Sequence, residues 1–371
     1  MDTTELLNIT PLQWLRYSLN PEGEMPVVDD WKALYEFAKK QQIRGVCHPL
    51  NSNLSIDWDV LSDWMAAVQL IEKTCSRINQ SIVELTHMLN DEGVSYCILK
   101  GQGNAEMYPN PLTRTPGDID VWLGYDKRKA YSFVKDKYSD VKESFKHIKI
   151  KSFQGTCVDV HYTPLKLYNP FHNRHLQRWI DKNRDEQFQH SIRLTGTEED
   201  VHVPTAKFNA VYQMGHIMIH LLDEGVGIRH LVDYYYLLKR LEGITEEEKA
   251  SIRDEWKKLG MLKLATAIMW VENKALGLED RFLLVTPNEE RGRLLLEDVL
   301  EGGNFGKSSF RQKYKKKYGY LGKGGIGVWY VLKMSTLYPS EAFFKLLSKI
   351  NTFVRKYVRK IGNVVSKHKN S

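Results

Sequence analysis

The longest regular pattern in the sequence is a stripe of apolar residues that runs from position 61 to position 89. Its members recur three and four residues apart and are Leu61, Trp64, Val68, Ile71, Cys75, Ile78, Ile82, Leu85 and Leu89. This spacing places them on one face of an α-helix, so a single long helix is predicted. The same stripe fits a coiled-coil dimer seam. We favour packing on two shorter helices predicted at 11–18 and 30–41.

The periodicity changes after the polar turn at 90–93, which ends the helix. Short runs rich in β-branched and aromatic residues then predict strands. The predicted strands are 94–99, 118–123, 145–153 and 156–162, with an extended pair at 191–203 and with helices at 104–108 and 126–138. The middle of the chain is therefore mixed α and β.

A helical pattern returns after Pro204. The predicted helices are 205–223, 228–241, 246–259, 261–276 and, after a glycine-interrupted stretch at 302–327, 328–365. These changes divide the chain into four parts: an N-terminal helical region at 1–78, an α/β core at 79–204, a helical C-terminal domain at 205–301 and a basic, aromatic-rich tail at 302–371. The predicted fold class is α+β, a small mixed-sheet core flanked by N-terminal and C-terminal helical regions.

The composition excludes several classes of protein. Four cysteines occur, none in a CxxC pair or at zinc spacing with a histidine, so neither a disulfide framework nor a structural zinc site is expected. The first residues carry acids where a signal peptide needs bases, and no apolar run approaches the roughly 20 residues of a membrane span. We therefore expect a cytoplasmic protein without a transmembrane segment.

Basic charge is concentrated at the end of the chain. Residues 302–371 contain 16 Lys or Arg and one acid, Glu341, whereas residues 1–301 carry a net charge of −8. Aromatic residues alternate with the basic ones, which is typical of a helix on an anionic membrane surface or of an arm that binds nucleic acid. In a third interpretation the aromatics pack on the acidic body. The sequence leaves all three interpretations open. The first of them would place the protein peripherally at the inner membrane surface.

Three acids on two predicted strands are the candidate catalytic group. Side chains alternate along a strand, so Asp118 and Asp120 project from one face while Ile119 and Val121 enter the core. Asp159 lies between two valines on another predicted strand. Adjacent carboxylates repel unless a cation is bound, and Mg²⁺ prefers hard oxygen ligands. A third acid completes a two-metal site and takes the proton from an attacking hydroxyl. We therefore predict two Mg²⁺ ions at these acids.

A glycine turn, Lys100-Gly101-Gln102-Gly103, follows the strand at 94–99 and opens a helix. Glycines let the backbone approach a ligand, and the amides at the start of a helix face an anion. The turn is therefore predicted to bind a triphosphate.

These segments, LKGQGNAEMYPNPLTRTPGDIDVWL at 99–123 and CVDVHYTP at 157–164, resemble the signature of the nucleotidyltransferase (DNA polymerase beta-like) fold superfamily. That signature is a strand, a glycine turn, a strand with two metal-binding acids and a later strand with a third. The order LKG, YP and an Arg before GDID resembles a poorly characterised bacterial nucleotidyltransferase family with members near polysaccharide-synthesis genes. GIRHLVDYYYLL at 227–238 resembles the helical motif of that family.

The resemblance implies an NTP as substrate and assigns roles to further residues. Lys100 and Arg114 would contact phosphates, with a solvated loop arginine as the alternative for Arg114, and Arg229 would contact nucleotide or acceptor. Asp233 lies one helical turn from Arg229, a spacing that equally fits a structural ion pair. His161, on the strand face of Asp159, is predicted to support the acids by hydrogen bonding.

The sequence departs from well-studied nucleotidyltransferases in one respect. They commonly have Gly-Ser at the glycine turn, whereas this chain has Gly101-Gln102, so a serine contact to phosphate is missing. Lys100, Arg114 and backbone amides are the expected substitutes.

Three other motifs are better explained structurally. The segment 302–308 lacks the first glycine of a P-loop, because Glu301 stands there, and the GxGxxG at 322–327 follows no strand. His216 and His220 lack the glutamate of a HExxH zinc site, so two partly buried, hydrogen-bonded histidines are predicted.

The sequence therefore predicts a Mg²⁺-dependent nucleotidyltransferase that moves an NMP from an NTP to a hydroxyl or phosphate acceptor. A sugar phosphate, another small molecule, a protein and an RNA end all remain candidates for that acceptor. The alternative is a non-catalytic nucleotide-binding protein, or one that docks on a polyanion or membrane surface through its tail.

Overall fold

The computed structural model describes residues 2–49, 54–143, 147–308 and 325–351. Its N-terminal region is helical, as predicted. The helices are α1 (Thr3–Leu7), α2 (Thr10–Leu19), α3 (Trp31–Gln41) and α4 (Trp58–Asp91). The apolar stripe of α4 is buried within the chain itself, which explains the stripe without a coiled-coil partner. The expected boundary between residues 78 and 79 falls inside α4.

The central sheet has five strands in the order β1-β2-β5-β4-β3. The strands are β1 (Tyr96–Leu99), β2 (Ile119–Leu123), β3 (Val141–Glu143), β4 (His147–Phe153) and β5 (Thr156–His161). β2 and β5 pair in parallel, whereas the other neighbours are antiparallel. A separate two-stranded sheet, β6 (Ser191–Arg193) with β7 (Asp200–His202), confirms the extended pair predicted around Gly196.

The two faces of the central sheet belong to different cores. On one face Ile119, Val121 and Val160 pack with the C-terminal half of α4 and with α6 (Lys127–Lys137). On the other face Trp122 packs against Phe208 of the helical region. Because side chains alternate along a strand, the polar residues of β2 and β5 share the second face with Trp122 and open toward the helical region.

Two predictions about the middle of the chain need correction. The short helix after the glycine turn, α5, spans Gly101–Ala105 and not 104–108, because the helix begins at the turn itself. An 18-residue helix, α7 (Pro170–Gln187), stands where no element was predicted. Few of its residues are apolar and buried, so its hydrophobic period is weak, and its start depends on the Asn169 cap.

The C-terminal helical region contains α8 (Ala206–Asp223), α9 (Ile228–Arg240), α10 (Glu246–Lys258), α11 (Leu262–Trp270) and α12 (Glu289–Gly302). The first three match their predicted bounds within about two residues. The predicted helix 261–276 changes to a π-helical turn at Val271–Ala275, and α12 was not predicted. Within the π turn, Glu272 is completely buried.

The described part of the tail forms two helices, α13 (325–333) and α14 (339–351), separated by a 3-10 turn at Met334–Thr336. One face of these helices packs into the large core, and the buried residues are Ile326, Tyr330, Val331, Met334, Leu337, Tyr338 and Ala342. The buried Glu341 carboxylate accepts hydrogen bonds from the Tyr168 and Asn169 backbone amides. The rest of the predicted helix 328–365 and most of 302–327 lie outside the described residues.

Candidate active site

Two of the three predicted acids lie on neighbouring strands, the third directly precedes β2, and all three line one cleft. Asp120 is the register partner of Asp159 in the parallel pair β2–β5. Directly paired residues point to the same face of a sheet, and Asp118 lies two positions before Asp120. All three carboxylates line a cleft of about 560 Å³ between the sheet and α8. This volume is in the range of small-molecule sites.

Asp120 is almost fully buried and is held by two basic side chains. Its Oδ2 lies 3.0 Å from Lys100 Nζ, and its Oδ1 lies 2.8 Å from His161 Nε2. Burial alone would raise the pKa of Asp120, but the charge of Lys100 and the hydrogen bond from His161 outweigh it and lower that pKa. Asp120 is therefore ionised at neutral pH, and His161 is hydrogen-bonded to it.

Asp159 has a different electrostatic environment from its register partner. Lys149 Nζ lies 3.2 Å from its Oδ1, and His147 Nε2 lies 3.3 Å from its Oδ2. Burial and repulsion from Asp118 raise the pKa of Asp159 despite these two neighbours. Paired carboxylates whose pKa values are pushed in opposite directions are suited to different roles in acid–base chemistry.

Lys149 also connects Asp159 to the most accessible of the three acids. Its Nζ lies 3.6 Å from Asp118 Oδ2, and the Asp118 side chain is 42% exposed. His147 and Lys149 belong to β4 and face β5 through the antiparallel register. Neither residue was among the predicted site residues, although alternation along the predicted hairpin at 145–162 places both on the face of Asp159.

The glycine turn divides its residues between the cleft and the core. Lys100 and Gly101 have φ values of 42° and 51°, and both line the cleft. The Gln102 amide instead donates to Asn79 Oδ1 on α4, at 2.7 Å. A Cβ on Gly103 would lie 3.1 Å from Val203. Gln102 and Gly103 therefore contact the protein interior, and Lys100 carries the positive charge of the turn into the cleft.

Lys100 also contacts the histidines of α8. Its Nζ lies 3.0 Å from His216 Nε2, which lies 3.0 Å from His220 Nε2. The two histidines are partly buried and hydrogen-bonded, as predicted, and both line the cleft. They extend the contacts of Asp120 from the sheet across to the helical region.

The two predicted arginines lie at the other end of the cleft, beside Asp118. Asp233 forms its ion pair with Arg114, through Nε at 2.7 Å and Nη2 at 2.8 Å, whereas Arg229 donates from Nη1 to the Thr115 carbonyl at 3.1 Å. Burial, with repulsion from Arg114, lowers the pKa of Arg229 to about 10. The bases Lys100, Arg114 and Arg229 thus line this end of the cleft together with the carboxylates of Asp118, Asp120 and Asp233.

The acids fit a divalent cation in chemistry but are not preassembled around one. Their oxygens are hard ligands of the kind Mg²⁺ prefers. Among residues 2–49, 54–143, 147–308 and 325–351, however, no three His, Cys, Asp or Glu side chains are arranged to hold a metal ion. The expected convergence within shared-metal distance is therefore not seen. Lys100 and Lys149 occupy the space beside the carboxylates, and their flexible stems must turn aside before a cation enters.

Comparison with known proteins identifies the family. A model of a family described as uncharacterised nucleotidyltransferases matches residues 28–277. A solved structure that matches is an antigenic nucleotidyltransferase-like protein from Paracoccidioides brasiliensis, 14% identical, covering 51% of this chain and 88% of that chain with a TM-score of 0.27. A comparison with curated proteins gave no match. Since the family model spans well over half of the sequence, this chain belongs to the uncharacterised nucleotidyltransferase family.

Proposed function

We propose that the protein transfers an NMP from an NTP to a hydroxyl or phosphate oxygen of an acceptor. The observation that carries the proposal is the pairing of Asp120 with Asp159 across β2 and β5, with Asp118 on the same face of an accessible cleft. The basic residues around the acids suit a substrate with several negative charges.

The transfer forms one bond and breaks one. An oxygen of the acceptor bonds to the α-phosphorus, the bond from that phosphorus to the oxygen bridging to the β-phosphate breaks, and pyrophosphate leaves. When the acceptor is a hydroxyl, its proton goes to Asp159, whose raised pKa suits a general base. Lys100 and Arg229 bind and orient the triphosphate, and Arg114, whose guanidinium is paired with Asp233, adds positive charge beside them. Backbone amides of the turn replace the serine contact to phosphate, because the Gln102 side chain is hydrogen-bonded to Asn79.

The cofactor expected at this site is Mg²⁺, bound by Asp118, Asp120 and Asp159. Two ions supply the charge that neutralises a triphosphate during an in-line displacement. His161 keeps the Asp120 carboxylate oriented through its 2.8 Å contact.

Transfer of label from each α-³²P-labelled NTP, with Mg²⁺, tests the proposal. The acceptors are a small-molecule extract and a protein and RNA extract, analysed separately, and pyrophosphate release is measured in parallel. Labelled product should appear with the wild type and disappear in Asp118→Asn and Asp120→Asn. Asp185→Asn, at an 81% exposed acid, is the matched control and should transfer normally.

Undiminished transfer in both cleft variants would overturn the assignment. Nucleotide binding without transfer or pyrophosphate release would favour a non-catalytic nucleotide-binding protein.

We propose a second function for the outer face of the tail, which is to dock the protein on an anionic membrane surface. While one side of α13 and α14 is buried, the other exposes Val328, Trp329, Leu332, Phe343, Leu347 and Ile350. These positions recur at helical spacing within a segment that has 16 basic residues and one acid. Exposed aliphatic side chains suit lipid better than nucleic acid. No helix in the described ranges is both long and apolar enough to span a membrane, so the contact would be peripheral.

A further inference from the structure

A short loop after α12 reaches across the helical region into the cleft. It spans residues 303–306, and its backbone is closed by bonds from Gly306 N to Gly303 O at 3.0 Å and from Ser308 N to Gly302 O at 2.9 Å. A Cβ on Gly227, at the start of α9, would lie 2.7 Å from the Asn304 Cα. The loop is therefore packed directly on Gly227, the residue that precedes α9, and no residue larger than glycine fits there.

Phe305 stands in this loop in a strained conformation. Its φ of 55° and ψ of 29° are in the left-handed region, where a bulky side chain is disfavoured. Such strain persists only where the surroundings impose it, and strained residues cluster at ligand sites. The half-buried ring packs against the imidazoles of His220 and His230, with centroid distances of 5.2 and 5.3 Å, and the two imidazoles lie 5.9 Å from each other.

The ring of Phe305 contributes an aromatic surface to a cleft that is lined by charged side chains and by aliphatic ones such as Leu165 and Ile219. It lines both the part that contains Asp159 and the part that contains Arg114 and Arg229. Burial, with the charge of Arg229, lowers the pKa of the neighbouring His230, so its imidazole is uncharged at pH 7. An aromatic group set within reach of phosphate-binding cations has the chemistry needed to recognise the flat base of a nucleotide.

We infer that Phe305 is the platform on which the nucleobase of the NTP stacks, an inference that rests on the proposed function. The triphosphate then lies toward Lys100 and the arginines while the base lies on the ring. Stacking on an aromatic face tolerates any base, because every base has a π-face. The four NTPs should therefore bind this platform with similar affinity.

Binding of nucleotides with and without a base tests this inference. The full chain is titrated in Mg²⁺ with the α,β-methylene analogue of each NTP, which cannot transfer its NMP, and with ribose 5-triphosphate, which has no base. Phe305→Asn removes the ring but keeps the backbone, because Asn adopts the left-handed region readily. Phe305→Tyr keeps an aromatic face. Phe171→Asn, at a 73% exposed phenylalanine outside the cleft, is the matched control.

Phe305→Asn should weaken binding of every NTP analogue roughly 5- to 150-fold and leave ribose 5-triphosphate unchanged. Phe305→Tyr and Phe171→Asn should bind like the wild type. The inference is overturned if Phe305→Asn binds the analogues normally, or loses analogue and ribose 5-triphosphate equally. Failure of the proposed function gives a different result, in which ring-dependent binding persists but wild-type protein transfers no label from true NTPs. A wild type that binds none of the analogues would overturn both.

Discussion

Arg114 and Asp233 form a buried bidentate ion pair that joins the loop before β2 to helix α9. Both side chains are at most 6% exposed, and the Tyr108 hydroxyl donates to the same carboxylate at 2.6 Å. Burial alone would raise the pKa of Asp233, but the charge and hydrogen bonds of Arg114 lower it. The pair therefore fixes the nucleotidyltransferase core against the helical region along one side of the cleft.

Replacing Arg114 by Ala should lower the free energy of unfolding by about 3–5 kcal/mol, because the Asp233 carboxylate stays buried without its partner. Arg193→Ala is the control: Arg193 pairs with Asp200 at 3.0 Å, but both side chains are more than half exposed. Its loss should be about 0–1 kcal/mol. Urea denaturation measures both, and equal losses would contradict a special role for the buried pair.

Asp159→Asn should lower the rate of NMP transfer to a hydroxyl acceptor by about 10²–10⁴-fold, the usual contribution of a general base. The amide cannot take the proton, although it keeps the shape of the side chain. The measurement is single-turnover transfer at saturating NTP and Mg²⁺. Asp200→Asn, at an exposed acid of β7, should be unchanged. A change in nucleotide affinity with an unchanged transfer rate would show that Asp159 helps to bind the nucleotide and does not accept the proton.

Much of the site could be predicted from local sequence pattern. The long helix α4 and the common face of Asp118 and Asp120 follow from periods of 3.6 and 2, which depend only on neighbouring residues. The pairing of Asp120 with Asp159 was less certain, since it needs the strand register.

Contacts between segments that are far apart in the sequence could not be predicted from local pattern. Asp233 lies 119 residues from its partner Arg114, whereas spacing within α9 suggested Arg229. Phe305 is separated from the glycine turn by more than 200 residues. The sequence of its loop resembles only a P-loop that lacks the first glycine. Gln102 could not be assigned to the interior because its partner Asn79 belongs to another element.

Glu272→Gln should make the stability of the protein less dependent on pH. In the structure Glu272 is completely buried, neither carboxyl oxygen has a hydrogen-bond partner among the described residues, and burial raises its pKa well above the usual range. The folded state thus binds this proton more tightly than the unfolded chain, whose glutamates have pKa values near 4.3. The contribution of Glu272 is complete below that pH and is lost as pH rises toward the folded-state pKa, by about 1.4 kcal/mol per pH unit.

Denaturation curves at pH 5, 6, 7 and 8 check this. Glu272→Gln should gain stability over the wild type as pH rises, while Glu290→Gln, at an exposed position, should follow the wild type. A constant difference across the range would contradict a buried, protonated Glu272.

Glu341→Ala should release the tail helices from the body. The fully buried carboxylate contacts two backbone amides and His172 Nδ1, so its loss leaves these donors without an acceptor. Trypsin should cut helix α14, at Lys345 or Lys349, faster in this variant than in the wild type. Glu297→Ala, at a 44% exposed acid of α12, is the control and should be cut at the wild-type rate. Unchanged cleavage of Glu341→Ala would show that apolar packing alone holds the tail.

The outer face of the tail predicts binding to anionic vesicles. Full-length protein should sediment with phosphatidylcholine vesicles that contain phosphatidylglycerol, less so in high salt, and not with neutral vesicles. A variant with Leu332, Phe343 and Leu347 each changed to Gln should lose this binding. Changing the exposed Leu70 and Phe171 to Gln should not. Retention by the triple variant, or a preference for RNA over lipid, would rule out the membrane as the partner.

Helix α4 has a consequence for how the molecule unfolds. Its first turns place Trp64 and Val68 in the large core, and its last turns place Ile82 and Leu89 in the core beneath the sheet. Neither core can lose its share of this helix without disturbing the other. Melting should therefore be a single cooperative event, and the central sheet cannot be excised as an autonomous fragment by cutting the chain within α4.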